Sequence, residues 1–233
     1  MTFKKIAVIN FSGNQTKSTI AHHLLAPRLG SAQVISVESI NGDEHDESIR
    51  GKHFGDLIEA VSMMDTVVVD VGSSNVEDFV NRMRQFRGSH EDFDLYVVPT
   101  VSAGKQQRDT ISTIEALAEI GIPASKIRVV FSMLESDEQP EVIFAGIFDY
   151  FYAKRKFTLC KGAVIHRNEL FDRLRGSKCS IANILTDATD LKEKLKLATA
   201  LEDKLAITKQ ISARRLAAGV HEELDVVFKI LTT

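Results

Sequence analysis

The feature that most restricts the fold of this 233-residue chain is a recurring pattern: short, continuously apolar runs, each followed by a stretch with helical spacing. The runs are Lys4 to Asn10 (KKIAVIN), Gln33 to Val37 (QVISV), Thr66 to Val71 (TVVVDV), Asp94 to Val98 and Ile127 to Phe131 (IRVVF). A strand with one wet face alternates apolar and polar residues. These mostly do not, so they predict strands buried on both faces, as in a parallel sheet covered by helices. Ala163 to His166 is a candidate for a last short strand. Helical spacing runs over 17–29, 55–63, 76–86, 103–120 and 142–156. Ser74 or Asn75 is placed to cap the third of these, with Glu77 and Asp78 in its first turn, and Gly121 with Pro123 stops the fourth. From Leu170 onward the chain reads as helical, with breaks expected near Gly176-Ser177 and around Gly219. The expected fold is α/β with a mostly parallel sheet flanked by helices on both faces. The whole of 1–233 is expected to form a single domain, on which helices of about 180–233 pack.

Between the first strand and the first helix lies a short polar loop, and Lys17-Ser18-Thr19 opens the helix. Strand, tight loop, then Lys-Ser is an arrangement that cradles phosphates, because loop N–H groups and the helix dipole both face the anion. The candidate binding residues are Ser12, Gly13, Asn14, Gln15, Thr16, Lys17, Ser18 and Thr19. Lys17 would reach the β- and γ-phosphates, the Ser18 hydroxyl would ligate Mg²⁺, and Thr19 would hold the α-phosphate side.

These residues resemble the deviant Walker A ATPases, the ParA/MinD family of P-loop NTPases, whose loop reads Lys-Gly-Gly-x-Gly-Lys-[Ser/Thr]-Thr. Gly13, Lys17, Ser18 and Thr19 match; Ser12, Asn14 and Thr16 stand where the family has its signature lysine and two glycines. Thr16 is expected to strain the loop, since a β-branched residue at positive φ costs about 1–2 kcal/mol. Asp70-Val71-Gly72 is similar to the family's Mg²⁺-holding aspartate segment, and Pro99-Thr100 to its strand end before a long helix. Glu38 is a candidate for orienting the attacking water, whereas Ile40 stands where a second aspartate is usual, and Ser132 where many relatives carry an adenine-contacting Asn. Three further runs, 9–14, 22–28 and 88–94, are similar to those of StbB-like plasmid-stability proteins. The resemblance implies ATP and Mg²⁺ as cofactors, with Lys17, Glu38 and Asp70 as catalytic residues. It further implies a nucleotide-dependent homodimer, non-specific DNA binding, a separate plasmid DNA-binding adaptor as partner, and a role in plasmid stability, partition or positioning.

Charge is unevenly spread. From Lys154 to Arg215 there are fifteen Lys/Arg against seven Asp/Glu, while the rest of the chain carries 14 against 25. Such a basic segment suits phosphate backbones, although solvated helix faces would give the same count. No apolar run approaches the ~18 residues of a spanning helix, so no membrane association is expected. Cys160 and Cys179 lack metal-ligand spacing and are expected to be reduced, inert thiols of a cytoplasmic bacterial protein. His22 and His23 are expected to pack or face solvent rather than bind metal, since no third ligand lies near. Two other functions stay open: a non-catalytic adaptor with a degenerate loop, and a dethiobiotin synthetase-like ligase, for which no substrate-binding set is evident.

Overall fold

The computed structural model describes residues 4–13, 16–30, 32–37, 54–175 and 179–233. The candidates Asn14, Gln15 and Glu38, with Ile40 and the expected break at Gly176-Ser177, lie outside the described residues. The described chain divides into two compact units, Met1–Arg167 with Val227–Thr233, and Asn168–Val226.

In the first unit six strands form one sheet: β1 (Lys5–Val8), β2 (Gln33–Val37), β3 (Val67–Val71), β4 (Leu95–Thr100), β5 (Ile127–Leu134) and β6 (Val164–His166). Their order is β2-β3-β1-β4-β5-β6 and every pairing is parallel. All five residues of β3 and all six of β4 are buried, which is why these strands carry no polar alternation. One face of the sheet shows Ala7, Ile35, Val69, Val98 and Phe131. Against it pack Leu57 and Val61 of α3 (Phe54–Met63), Phe79 and Met83 of α4 (Val76–Gln85), Ile114 and Leu117 of α5 (Gly104–Glu119), and Ile147 and Phe148 of α7 (Ala145–Lys154). The opposite face, with Ile6, Val8 and Val68, is buried too. The helical stretch of residues 16–28 packs on that side, and the Arg128 guanidinium donates to the Leu231 carbonyl there. This architecture agrees with the P-loop NTPase-like α/β fold read from the sequence.

The stretch 16–28 is not a plain α-helix. It opens as α1 (Thr16–Thr19), continues as a π-helix through Ile20–Leu25 and ends as α2 (Ala26–Arg28). The Ala26 N–H bonds the Ala21 carbonyl, five residues back. Pro27 has no N–H to give, so an α-helical partner for the His23 carbonyl is missing. The Arg28 guanidinium supplies one, donating to His23 O at 2.9 Å and to Leu24 O at 3.2 Å.

Several local expectations change. Asn75 stands at the N-cap of α4 but makes no capping bond; its amide donates to Val37 O instead, tying the end of β3 to that of β2. The expected helix 142–156 is interrupted, α6 (Pro140–Ile143) preceding α7. β5 runs past Phe131 to Leu134 through a bulge at Met133, whose φ is +65°. The stop of α5 is as expected: Gly121 has φ +94°, and Ile122 N–H reaches back to Leu117 O.

The second unit holds α8 (Glu169–Leu174), α9 (Ile181–Thr186), α10 (Leu191–Leu197) and most of the long α11 (Leu201–Thr232), whose residues from Val227 on belong to the first unit. The expected break at Gly219 does not occur, since α11 passes through it without interruption. One glycine costs a helix about 1 kcal/mol, too little to stop 32 residues rich in Ala, Leu, Lys and Glu. The breaks fall at caps instead. Asp190 accepts N–H bonds from Lys192 and Glu193, and Ser180 accepts one from Asn183.

Candidate functional site

In the strand order β2-β3-β1-β4-β5-β6, the chain crosses from β1 to the edge strand β2, comes back to β3 beside β1, and then builds β4 to β6 on the other side of β1. Ligands of open α/β sheets bind outside the carboxyl ends of the strands at such a reversal, here between β1 and β4. The loop after β1, the end of β3 and the end of β4 all meet there. Val8 pairs with Asp70 in register, so the carboxylate of β3 stands beside the strand that leads into the loop.

Asn10 anchors the loop from within. It is fully buried, and its amide donates to Pro99 O of β4 at 2.6 Å and to Thr110 Oγ1 of α5 at 3.0 Å. Its side-chain oxygen accepts from the Ser12 N–H at 2.9 Å and from the Thr113 hydroxyl at 3.3 Å. Phe11 N–H bonds Thr113 Oγ1. The loop is therefore pinned to two elements about ninety to a hundred residues away in sequence. Sequence reading did not single out Asn10 as functional; a polar residue ending an otherwise apolar strand was the available signal.

Lys17 curls under this loop. Its ammonium donates to Ser12 O at 2.5 Å and to Asn10 O at 3.4 Å, and the side chain is almost wholly buried. Burial holds its pKa below the usual lysine value, and the Asp70 carboxylate partly offsets that. Ser18, the next residue, is exposed and donates its hydroxyl to Asp70 Oδ2 at 2.6 Å. Burial raises the Asp70 pKa; the Ser18 hydrogen bond and the Lys17 charge act against the rise. The three candidates Lys17, Ser18 and Asp70 are thus brought together. Thr16 is buried and is the first residue of α1; the described non-glycine residues at positive φ are Met133 and Arg155. The expected strain at Thr16 is absent, because a right-handed helical turn accepts a β-branched residue at small cost. Thr19 lies one turn in, half-buried.

The loop after β3 closes the other side. A Cβ built on the exposed Gly13 would lie 3.3 Å from Ser73 Oγ, so a side chain at position 13 would press on that hydroxyl. Two buried hydroxyls at the carboxyl ends of β4 and β5, Thr100 Oγ1 and Ser132 Oγ, have no hydrogen-bond partner among the described residues. Chemically, the edge offers one buried cation, the start of a helix and the two unpartnered hydroxyls, a set suited to an anion. The Ser18 hydroxyl with the Asp70 carboxylate suits a hard divalent cation that keeps most of its waters. No cluster of three or more His, Cys, Asp or Glu exists among the described residues, so a metal caged by protein alone is not built here.

The histidines of the π-helix differ. His22 is exposed, whereas His23 is partly buried, its Nδ1 lacks a partner, and burial with the neighbouring His22 lowers its pKa to about 4. Cys160 is buried and Cys179 exposed, and the two are not joined in a disulfide.

In the second unit a cleft of about 490 Å³ lies between the start of α10 and the middle of α11, lined by Thr189, Asp190, Lys192, Ile211, Arg214 and Arg215. Asp187 and the Thr189 carbonyl fix Arg214, at 3.3 and 3.0 Å. Asp190 is committed to capping α10, so the cleft presents three cations against one engaged carboxylate. No described helix is long and apolar enough to cross a membrane. Compared with known proteins, the chain matches no family model, and no curated protein matches it significantly.

Proposed function

We propose that the chain is a ParA/MinD-type nucleotide-binding protein that takes ATP with Mg²⁺ on the loop 12–19 and acts in plasmid stability, partition or positioning. The observation that carries this reading is the meeting of Lys17, Ser18 and Asp70 at the strand-order reversal. Among the described residues the buried Lys17 ammonium is bonded to backbone carbonyls, and an anion at the loop would neutralise it. Asp70, held ready by the Ser18 hydroxyl, would orient water around a cation that this hydroxyl ligates. Bound MgATP supplies a transferable phosphoryl group and the energy of its hydrolysis. Ser12 stands where the resembling family has its lysine, so any charge reaching across a dimer must come from elsewhere in this chain. The cationic cleft of the second unit supports non-specific DNA binding, directly or beside a DNA-binding adaptor. Exposed Leu197, Leu201 and Leu205 offer apolar surface to a second copy.

A second reading has one observation in its favour. Lys17 is already satisfied by two carbonyls, so the fold stands without a nucleotide, as a non-catalytic adaptor would require. Calorimetric titration with ATP and Mg²⁺, on the native chain and on Lys17→Ala, separates the two. Binding that disappears in Lys17→Ala supports the nucleotide reading; no binding by the native chain, with DNA retention intact, leaves the adaptor.

A further inference from the structure

The hydroxyl of Ser73 is not used by anything described above. Ser73 follows Asp70 by three residues, in the turn where β3 gives way to the short 3₁₀ turn Ser73–Asn75 before α4. Ser73 is half-buried and its hydroxyl makes no hydrogen bond among the described residues, unlike the side chain of Asn75, which is tied to Val37 O. Its oxygen faces Gly13, lying 3.3 Å from the place a Cβ would occupy there, with only glycine between it and the loop. The turn that carries it is held in place: Gly72 N–H bonds Val37 O at 3.0 Å, and Asn75 N–H bonds Gly72 O at 2.9 Å. An unpartnered donor is thus presented on a fixed turn to the exposed start of the loop.

From this geometry we infer that Ser73 is a binding residue for the terminal phosphate of a nucleoside triphosphate, and that it makes the site prefer a triphosphate over a diphosphate. The inference rests on the nucleotide reading above. Ser18 and Asp70 would hold the cation of a bound nucleotide, and that charge would draw the terminal phosphate toward the β3 side of the loop. Ser73 is the first hydroxyl beyond Asp70 on that side, and Gly13 leaves it room to approach. A hydroxyl given to a charged oxygen forms one of the stronger kinds of hydrogen bond.

The test is the affinity of the full chain for ATP and for ADP, each with Mg²⁺, in native, Ser73→Ala and Ser73→Thr forms. The expected result is a loss of about tenfold in ATP affinity for Ser73→Ala, with ADP affinity within twofold of native and ATP affinity largely restored in Ser73→Thr. ADP binding itself reports that the variant is folded. Equal losses for both nucleotides, or no loss for either, overturn the inference and leave the nucleotide reading standing. If the native chain binds neither nucleotide, the nucleotide reading fails and the inference falls with it.

Discussion

The edge of the sheet around Lys17 and the cleft around Arg215 are both positively charged, yet they are built on opposite principles. At the sheet edge one ammonium is almost wholly buried, its pKa is pushed down by that burial, and its fixed partners are two carbonyls. In the cleft the cations stand near solvent, and Lys192 and Arg215 are exposed. A buried charge is scarcely screened by salt, and each atom around it changes what it can bind. Exposed charges are individually weak and act by number, so their effect should fade as salt rises. One region is thus suited to a single defined anion, the other to a polymer of phosphates.

The largest expected effect lies in the buried region. Lys17→Ala should lower ATP affinity about a hundredfold, the scale expected when a charge-assisted hydrogen bond is removed from a desolvated site. Repeating the titration at low and moderate salt sharpens the contrast: the ratio of native to variant affinity should change little. A ratio that collapses with salt would mean that Lys17 acts as a surface charge, against its burial.

Next in size is the acid sensitivity stored in the π-helix. The pKa of His23 falls to about 4 in the folded chain, well below its unfolded value, because burial disfavours the imidazolium. A depressed folded pKa contributes stability that is complete above the unfolded pKa and is lost as pH falls toward the folded one. Stability should therefore decline between about pH 6.5 and 4, by roughly 2 kcal/mol after allowing for the ring's partial exposure. Urea denaturation at several pH values, on native and His23→Gln chains, checks this. The part of the decline owed to His23 should vanish in the variant, and equal slopes for the two proteins would remove His23 as its source.

Asp70 gives a smaller effect of opposite direction. Its pKa is raised by burial, so its contribution to stability is fully present below the unfolded value and is lost as pH rises through the folded one. At neutral pH its ionised form costs stability. Without nucleotide, Asp70→Asn should therefore melt slightly higher than native at pH 7 and show no advantage at pH 3. Any cation-dependent nucleotide binding should weaken in the same variant. A lower melting temperature at neutral pH would show that the Ser18 and Lys17 partners outweigh the burial cost.

How much of this was legible in the sequence follows the range of the forces involved. Runs such as TVVVDV and IRVVF encode buried parallel strands by themselves, and all six strands fall where the apolar pattern puts them. Lys17, Ser18 and Asp70 could be found because a strand-loop-helix boundary and a strand end are local signals. The anchoring of Asn10 could not, since Thr110 and Thr113 carry no mark of their use until α5 lies against the loop. Ser73 looks like one of two serines in a turn, and only its approach to Gly13 distinguishes it. The π-helix is hidden for a different reason: it depends on Pro27 and on Arg28 folding back to serve the freed carbonyls, a balance that apolar spacing does not report. Asn75 and Gly219 mislead because propensity marks a good cap residue and a good breaker, where a long-range carbonyl and a long helix decide.

The smallest effects belong to the cleft, and there salt is the discriminating variable. Arg215→Gln and Lys192→Gln should each weaken DNA binding only a few-fold, uniformly across sequences. Each should also flatten the dependence of log affinity on log salt by about 0.9 for every phosphate no longer neutralised. Arg214 should behave differently from its neighbour, because Asp187 and the Thr189 carbonyl already hold it. Removing it should disturb the junction before α10 as well as the charge, lowering the melting temperature where Arg215→Gln does not. If Arg215→Gln and Lys192→Gln leave both affinity and slope unchanged, the cleft is a solvated helix face. The basic segment would then owe its charge to solvation, and the loop around the buried Lys17, with Ser73 beside it, would be left as the chain's proposed site for phosphate.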